Sequence, residues 1–489
     1  MKKVILVLDC GATNLRAIAV DEKGLIIAAH SMPNRTVNDP LYSGGLIWDT
    51  EEIWSKFISC THAILRELKE VEIAAITVTT FGVDGAAMNK DGSLCYPVIS
   101  WQCSRTVPVM DSIGKYIDPK RLYDITGLQS YHFNTINKLI WLKENRPEII
   151  KGMDSYLFMP SIFLYKLTGE FVSDTTMAGT SMLTDLKSRS FSEEIFSALG
   201  LKPSLFAPIV EPGTIVGKVT NKAAEELGVR IGIPVVAAGH DTQFAVFGSG
   251  AGINEPVLSS GTWEILMARA HSNTICLPKK NEGVTIELDA EKGIIDLGVQ
   301  WVASGVLEWV SKMFFADLAN QTDRYDIMIE QASQIEAGCK GVTVIPELFQ
   351  GGFVNSKGSI TGLQNESTRA HVYRATLEAL SFYTKQGLMK LEKAGSFKAQ
   401  SVICVGGGSK NKLWNQIRAD VLGIPLKVSD RKETTVLGAA LFAMPAAGFY
   451  SSPQEASENV LCNNTIYEPC SDRAAYEQIY KNYQPVFNQ

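Results

Sequence analysis

The sequence predicts a mixed α/β protein of two lobes laid out on one plan, and three observations predict it. A chain of 489 residues holds two large domains at roughly 100–200 residues each. A strand–turn–strand signature opens it at residues 4–20, and the same order returns at residues 256–267. Hydrophobic residues make up 45% and charged residues 20%, which suits a large core and excludes a disordered chain. The expected division is residues 1–248, residues 249–450, and a peripheral, partly helical tail at 451–489. A duplicated α/β layout of this kind takes its ligand in a cleft between the lobes.

Taken in order, Val4 to Leu8 is apolar and β-branched, which reads as a central strand. Asp9 to Asn14 is a small-residue turn, Leu15 to Val20 a second strand, and Asp21 to Gly24 a hairpin turn into a third. Residues 50–70 place apolar side chains at 53, 54, 57, 58, 64, 65 and 68, one face of a helix. Ile73 to Thr79 is a strand, followed by the loop Thr80 to Gly85. Asn134 to Asn145 is helical, with Pro147 just past its end. Val235 to Ala238 is a short strand that runs into Gly239-His240-Asp241. In the second half, Pro256 to Ser260, the turn at Gly261-Thr262, and Ile265 to Met267 repeat the opening. Residues 368–394 form a long helix stopped at Gly395. Ser401 to Val405 is a strand, after which Gly406 to Asn411 opens a helix through Leu422.

Composition removes several function classes. Lys plus Arg is 46 and Asp plus Glu is 52, a net charge of -6, which argues against non-specific nucleic-acid binding. The nine cysteines include no C-x-x-C pair and none at zinc spacing from a histidine. Most of them read as reduced core thiols of a cytoplasmic protein. The apolar run after Lys2-Lys3 is too short for the ~7–15 residues of a signal-peptide core. No stretch reaches the roughly 18 apolar residues of a membrane helix.

Several constellations could carry chemistry. In Asp9-Cys10-Gly11-Ala12-Thr13-Asn14-Leu15-Arg16, Gly11 permits close approach of a ligand to the backbone. Thr13 and Asn14 offer phosphate hydrogen bonds, Arg16 a charge, and Asp9 a place for hydrated Mg²⁺. An ordinary hairpin is the alternative. Ser260-Gly261-Thr262 echoes that turn, and two such turns would clamp a polyphosphate. Gly406-Gly407-Gly408 lies between strand and helix without the order of a P-loop, and is either a flat ligand platform or a tight turn. Asp241, at a strand end, suits proton abstraction from a hydroxyl. Beside it, His240 either orients substrate or is structural. Asp84, on a glycine-flanked loop, either holds sugar hydroxyls or caps its own turn. Trp101 either stacks on a sugar face or belongs to the core, and Arg105 lies close by in sequence.

At this point the chain resembles the FGGY carbohydrate kinases, from Asp9 to about Gly448. The segment Phe133-Asn134-Thr135-Ile136-Asn137-Lys138-Leu139-Ile140-Trp141-Leu142-Lys143-Glu144-Asn145 is similar to the first pattern of that family. Gly358-Ser359-Ile360-Thr361-Gly362-Leu363, with His371-Val372 and Ala375-Thr376-Leu377-Glu378, is similar to its second. Gly239-His240-Asp241-Thr242-Gln243 matches the place of the family's catalytic aspartate. Residues 4–20, 79–85, 177–181 and 256–266 are most similar to the members that act on L-fuculose. Cys103 stands where many relatives have an Asp, so no role is carried to it.

The resemblance implies two ribonuclease-H-like lobes of the actin/hexokinase/Hsp70 type, with an interlobe cleft. It also implies ATP-dependent phosphorylation of a ketose at its 1-hydroxyl, L-fuculose first and L-rhamnulose or a pentulose as alternatives. A non-catalytic, actin-like ATP switch is the alternative from another class. Carried over by position, Asp9, Gly11, Thr13, Asn14, Arg16, Gly261, Thr262, Gly305, Gly407, Gly408 and Asn411 would meet ATP. Gly82, Asp84, His240, Asp241, Asp296 and Trp301 would meet the sugar, with Asp241 as base. Mg²⁺ would bind Asp9 through water, and Asp241. The implied partner is a small sugar, with no nucleic acid and no membrane, and a homodimer is the open alternative to a monomer.

Overall fold

Val4 to Leu8 are all 0% exposed because the strand that carries them is covered on both faces. Val4, Leu6 and Leu8 pack into one apolar layer with Trp54, Phe57 and Phe163. Ile5 and Val7 point the other way, toward Phe244, Phe247 and Leu441. Side chains alternate along a strand, so a run that is buried on both sides must be apolar at every position. The computed structural model describes residues 2–68, 71–348, 357–431, 433–460 and 463–488. Two units emerge: residues 1–250, 285–296 and 433–461 form one, and residues 251–284, 297–432 and 462–489 the other.

The first unit is built on six strands: β1 (Lys2–Cys10), β2 (Asn14–Val20), β3 (Ile26–Pro33), β4 (Val71–Thr80), β5 (Ile215–Lys218) and β6 (Pro234–His240). Their order is β5-β6-β4-β1-β2-β3. β1, β4 and β6 run parallel, while β1–β2, β2–β3 and β5–β6 are antiparallel. The register aligns the ends of the parallel strands: Asp9 lies opposite Thr79, and Thr80 opposite both Cys10 and His240. The carboxyl ends of parallel strands are where open α/β sheets place their ligands. Helix Thr50–Glu67 covers one face, with Asp49 accepting from the N–H groups of Glu51 and Glu52. It ends three residues before the predicted limit at 70, and positions 69–70 lie outside the described residues. Helices Asp241–Gly248 and Thr434–Ala443 cover the other. They cross closely because a Cβ at Gly438 would lie 1.9 Å from the Phe244 carbonyl oxygen.

The second unit repeats the plan with β7 (Val257–Ser260), β8 (Trp263–His271), β9 (Val402–Val405), β10 (Leu426–Ser429) and β11 (Asn464–Tyr467). β7–β8 is an antiparallel hairpin, β9 and β10 join in parallel, and strand Ile294–Val302 lies beside β8. The duplicated ribonuclease-H-like layout expected from sequence is therefore present in both units.

Local differences have local causes. Pro147 does not merely follow a helix; it starts the next one, Pro147–Gly152, at a position where its missing N–H costs nothing. The long helix Arg369–Gly395 includes Gly395, and Ser396 takes the left-handed stop at φ 55°. Gly395 is held in the helix by packing, since a Cβ there would lie 2.7 Å from Phe397 and 2.8 Å from Leu297. The glycine run does not open its helix directly either: a 3₁₀ turn, Gly407–Lys410, precedes Lys412–Leu422. The segment after 450 packs more than a peripheral tail would. β11 pairs with β10, and helix Arg473–Tyr483 buries Tyr476, Tyr480 and Tyr483. The Tyr476 hydroxyl donates to Glu378 at 2.9 Å.

Candidate active site

In the first unit the strand register brings two predicted acids to one edge of the sheet. Asp9 ends β1 and is 4% exposed. Across the hairpin it faces Arg16, whose Nε donates to Oδ2 at 2.9 Å and whose Nη2 also bonds the same oxygen. Arg16 Nη1 reaches Glu433, which the sequence reading had not singled out. Burial pushes Asp9 up to about 6 against the pull of Arg16, and the negative charge of Asp241 adds to the rise. Thr13 and Asn14 stand exposed at the turn. Gly11 is required there, because a Cβ would lie 2.9 Å from the Asn14 carbonyl oxygen.

Asp241 is the first residue of its helix, one step beyond the strand end where the sequence placed it. A carboxylate at a helix N-terminus is favoured by the helix dipole. Burial outweighs that and pushes Asp241 up to about 6. Its side chain keeps 30% exposure, so the carboxylate is both enclosed and reachable. Thr242 Oγ1 donates to it at 3.2 Å, and His240 Nε2 lies 3.4 Å away. The backbone before it is fixed by Asp174 and Thr176, which were not predicted. The His240 N–H donates to Thr176 Oγ1 at 2.8 Å, and Thr176 in turn bonds Asp174. Gly239 leaves room for that pair: a Cβ would lie 1.9 Å from Asp174 Oδ1. Gly82 abuts the imidazole, where a Cβ would lie 2.8 Å from His240 Nε2.

Asp84 departs from the sugar-facing position predicted for it. It is 0% exposed; Oδ1 pairs with Lys138, and Oδ2 accepts from Trp48 Nε1 at 2.6 Å and from the Trp101 N–H at 3.0 Å. Burial drives Asp84 up and Lys138 down. Asp84 thus holds the loop from within and orients Trp101. Arg105 is likewise structural, paired with Asp39 at 2.7 Å and lying over Tyr42 and Trp141. Asp296 is 0% exposed, so it too presents no surface to a sugar.

In the second unit the predicted turn residues separate into exposed tips and buried supports. Thr262 is exposed at the β7–β8 turn. Its carbonyl accepts from the N–H groups of Ala303 at 2.9 Å and Gly305 at 3.3 Å, where helix Ser304–Phe314 begins. The Gly261 carbonyl accepts from Ser304 at 3.1 Å. Gly406 takes φ 89°, and its missing Cβ would lie 2.7 Å from the Ser260 carbonyl oxygen. Gly407 has open space beside it, while a Cβ on Gly408 would strike Ser260 Oγ. Asn411 caps its helix by accepting from the Trp414 N–H at 3.0 Å, and its amide reaches the Tyr373 hydroxyl at 3.3 Å. Trp301 departs from its predicted place: it is 0% exposed and donates to Glu264 at 3.0 Å. Beneath this turn, Glu264 also pairs with Arg418 and accepts from Ser260 at 2.7 Å. Arg418 was missed because only the fold sets it against residues about 150 positions earlier.

The donor set at Asp9 and Asp241 is all carboxylate oxygen, which suits a hard cation such as Mg²⁺. Arg16 engages only Oδ2 of Asp9, and the two acids sense each other electrostatically.

Comparison with known proteins agrees with this arrangement. The model of the FGGY family of carbohydrate kinases, N-terminal domain, matches residues 4–248, and that of the C-terminal domain matches residues 257–447. The L-fuculokinase of Escherichia coli O157:H7 is 45% identical, over 98% of this chain and 100% of its own length. That of Haemophilus influenzae is 44% identical, over 93% and 97%. Ligand-bound xylulose kinase from Lactobacillus acidophilus superposes with a TM-score of 0.89 at 20% identity, over 99% of this chain and 98% of its own. The fold is thus that of the actin/hexokinase class. With both family models matched in order, and with an acid-bearing strand edge in the first unit and a glycine-rich hairpin support in the second, the chain belongs to the FGGY family of carbohydrate kinases.

Proposed function

We propose that this kinase transfers the γ-phosphoryl group of ATP to the 1-hydroxyl of L-fuculose, giving L-fuculose 1-phosphate and ADP. The observation that carries the mechanism is Asp241: a partly exposed carboxylate, with its pKa raised to about 6, at the edge of the parallel strands level with Asp9. At neutral pH it is mostly ionised, yet basic enough to take a proton. Asp241 accepts the hydroxyl proton as the sugar oxygen bonds to the γ-phosphorus and the bond to the β,γ-bridging oxygen breaks. Phosphoryl transfer needs positioning and charge neutralisation rather than covalent help from the protein.

The remaining roles follow from accessibility. Thr13, Asn14 and the Gly11 backbone serve the phosphates from the first unit. Thr262, Gly261 and Gly305 serve phosphate as well, and Gly407 and Gly408 with the helix-capping Asn411 form the floor for adenosine. Gly82 and His240 face the sugar. Asp9, through water, and Asp241 would hold Mg²⁺, which when bound neutralises phosphate charge. Asp84 acts through Trp101. The described cysteines are all free thiols, which fits work in the cytoplasm.

A coupled ADP-release assay over a panel of ketoses tests this reading. L-fuculose should give the highest kcat/KM. A clear preference for L-rhamnulose or D-xylulose would replace the substrate, and no sugar-stimulated ADP release would overturn the enzyme reading.

A further inference from the structure

Two threonines four residues apart reach the two segments that carry the sugar-facing residues. Both lie on helix Thr175–Thr180 of the first unit, and residues at i and i+4 share one face of a helix. Thr176 Oγ1 accepts from the His240 N–H at 2.8 Å, and Thr180 Oγ1 accepts from the Val83 N–H at 3.2 Å. Each hydroxyl is aimed by the group it donates to: Thr176 by the Asp174 carboxylate, Thr180 by the Met177 carbonyl at 2.9 Å. Asp174 in turn caps the helix, accepting from the Thr176 and Met177 N–H groups. Both threonines are buried, so water does not compete for either bond.

Each segment held in this way departs from regular backbone. The pairing of β6 with β4 slips between Ala237 and His240. There side chains stand in for the ladder: Thr79 Oγ1 donates to the Gly239 carbonyl at 2.9 Å, and Thr176 takes the N–H that follows. Val83 sits at φ 64°, a region that a β-branched residue rarely enters. Around it, the Asp84 N–H donates to the Gly82 carbonyl at 2.9 Å, closing a three-residue turn. The Val83 carbonyl accepts from Thr135 Oγ1 at 2.8 Å and Lys138 Nζ at 3.0 Å, so Thr180 completes a grip on both sides of that residue. Strained backbone of this kind persists only where its surroundings fix it, and it clusters at functional sites.

We infer that Thr176 and Thr180 are positioning residues that together fix the spacing between the Asp241 carboxylate and the Gly82 loop, and with it the line of attack of the ketose hydroxyl. Both act through backbone. Thr176 holds the peptide that leads into Asp241, and Thr180 holds the turn that presents Gly82. A misplacement of about 1 Å at the reacting centre costs about 10²-fold in rate. Alignment of the base governs the chemical step, whereas the loop governs the hold on the sugar. Loss of one hydroxyl should therefore differ in its kinetic signature from loss of the other. The inference rests on the sugar-kinase reading above.

The test uses the full chain and the ketose that the wild type prefers, whichever that proves to be. Thr176→Val keeps the shape of the side chain and removes its hydroxyl. It should lower kcat about 10²-fold while the KM for ATP stays unchanged. Thr180→Val should raise the KM for the ketose about tenfold and leave kcat within about threefold. Thr176→Ser and Thr180→Ser keep the hydroxyl and should recover most of each loss. Amide hydrogen exchange, followed by mass spectrometry on peptides covering 81–85 and 238–242, should quicken at His240 in Thr176→Val and at Val83 in Thr180→Val. Exchange requires no turnover, so it judges the inference even if the ketose panel is silent. Exchange unchanged in both variants would overturn it. So would a kcat within about threefold of wild type in Thr176→Val, or parallel losses in the KM for ATP, kcat and Tm with no rescue by Ser. If Thr176→Val does not fold, Thr180→Val decides alone, and an unchanged ketose KM there overturns the inference.

Discussion

The two hairpin turns that open the two units share a position in the sheet but handle charge in opposite ways. In the first, Asp9 faces Arg16 across the hairpin, and the Arg16 side chain retains 27% exposure. In the second, Ser260 faces Glu264, and Glu264 pairs with Arg418 at 0% exposure on both sides. The first turn leaves its ionic chemistry reachable. The second seals its ion pair beneath the sheet and exposes Thr262 and Trp263 at its turn. One architecture thus carries a reachable ion pair at one turn and a buried one beneath the other. A buried ion pair adds little net stability over apolar packing, yet removal of one member strands the other.

If chemistry resides in the first unit, the largest effect should come from Asp241. Asp241→Asn should lower kcat by about 10³–10⁴-fold while ATP binding, followed by calorimetry, stays near wild type. Turnover within tenfold of wild type would break the comparison. Next, Arg418→Met should cost about 3–5 kcal/mol of stability by stranding Glu264, read as a fall in Tm or in the denaturation midpoint. A neutral result would mean that the second turn is not sealed as described. Asp9→Asn should lower kcat by about 10²-fold and raise the Mg²⁺ concentration needed for half-maximal rate. Thr262→Ala, the loss of one exposed hydroxyl, should raise the KM for ATP by about tenfold with Tm unchanged.

The smallest effect is in pH. The raised pKa of Asp241 means that kcat/KM should climb with pH through about 6 and then level off. The stability consequence has the opposite sense. A carboxyl whose folded pKa lies above its unfolded value favours folding fully at pH below about 4 and loses that contribution as pH rises through about 6. Ligand-free Asp241→Asn should therefore melt higher than wild type at pH 7.5, with the difference gone at pH 4. A gain of equal size at both pH values would place the cause elsewhere.

The sequence by itself determined the sheet-forming strands, the two hairpins and the motif acids. Each of those rests on local rules: an apolar run buried on two faces, a small-residue turn, an acid at a strand end. It also placed Thr13, Asn14, Thr262 and Asp241 where the fold leaves them reachable. Tertiary structure alone decided that Asp84, Asp296 and Trp301 are interior, because burial depends on what arrives from distant parts of the chain. Lys138 closes over Asp84, and Glu264 meets Trp301 37 positions away. It likewise decided that Arg16 shares Glu433, 417 residues later, and that Glu287 comes to 3.7 Å from His240. An ion pair or a ring contact leaves no period in the sequence, so only folding could reveal which partner each polar group would find.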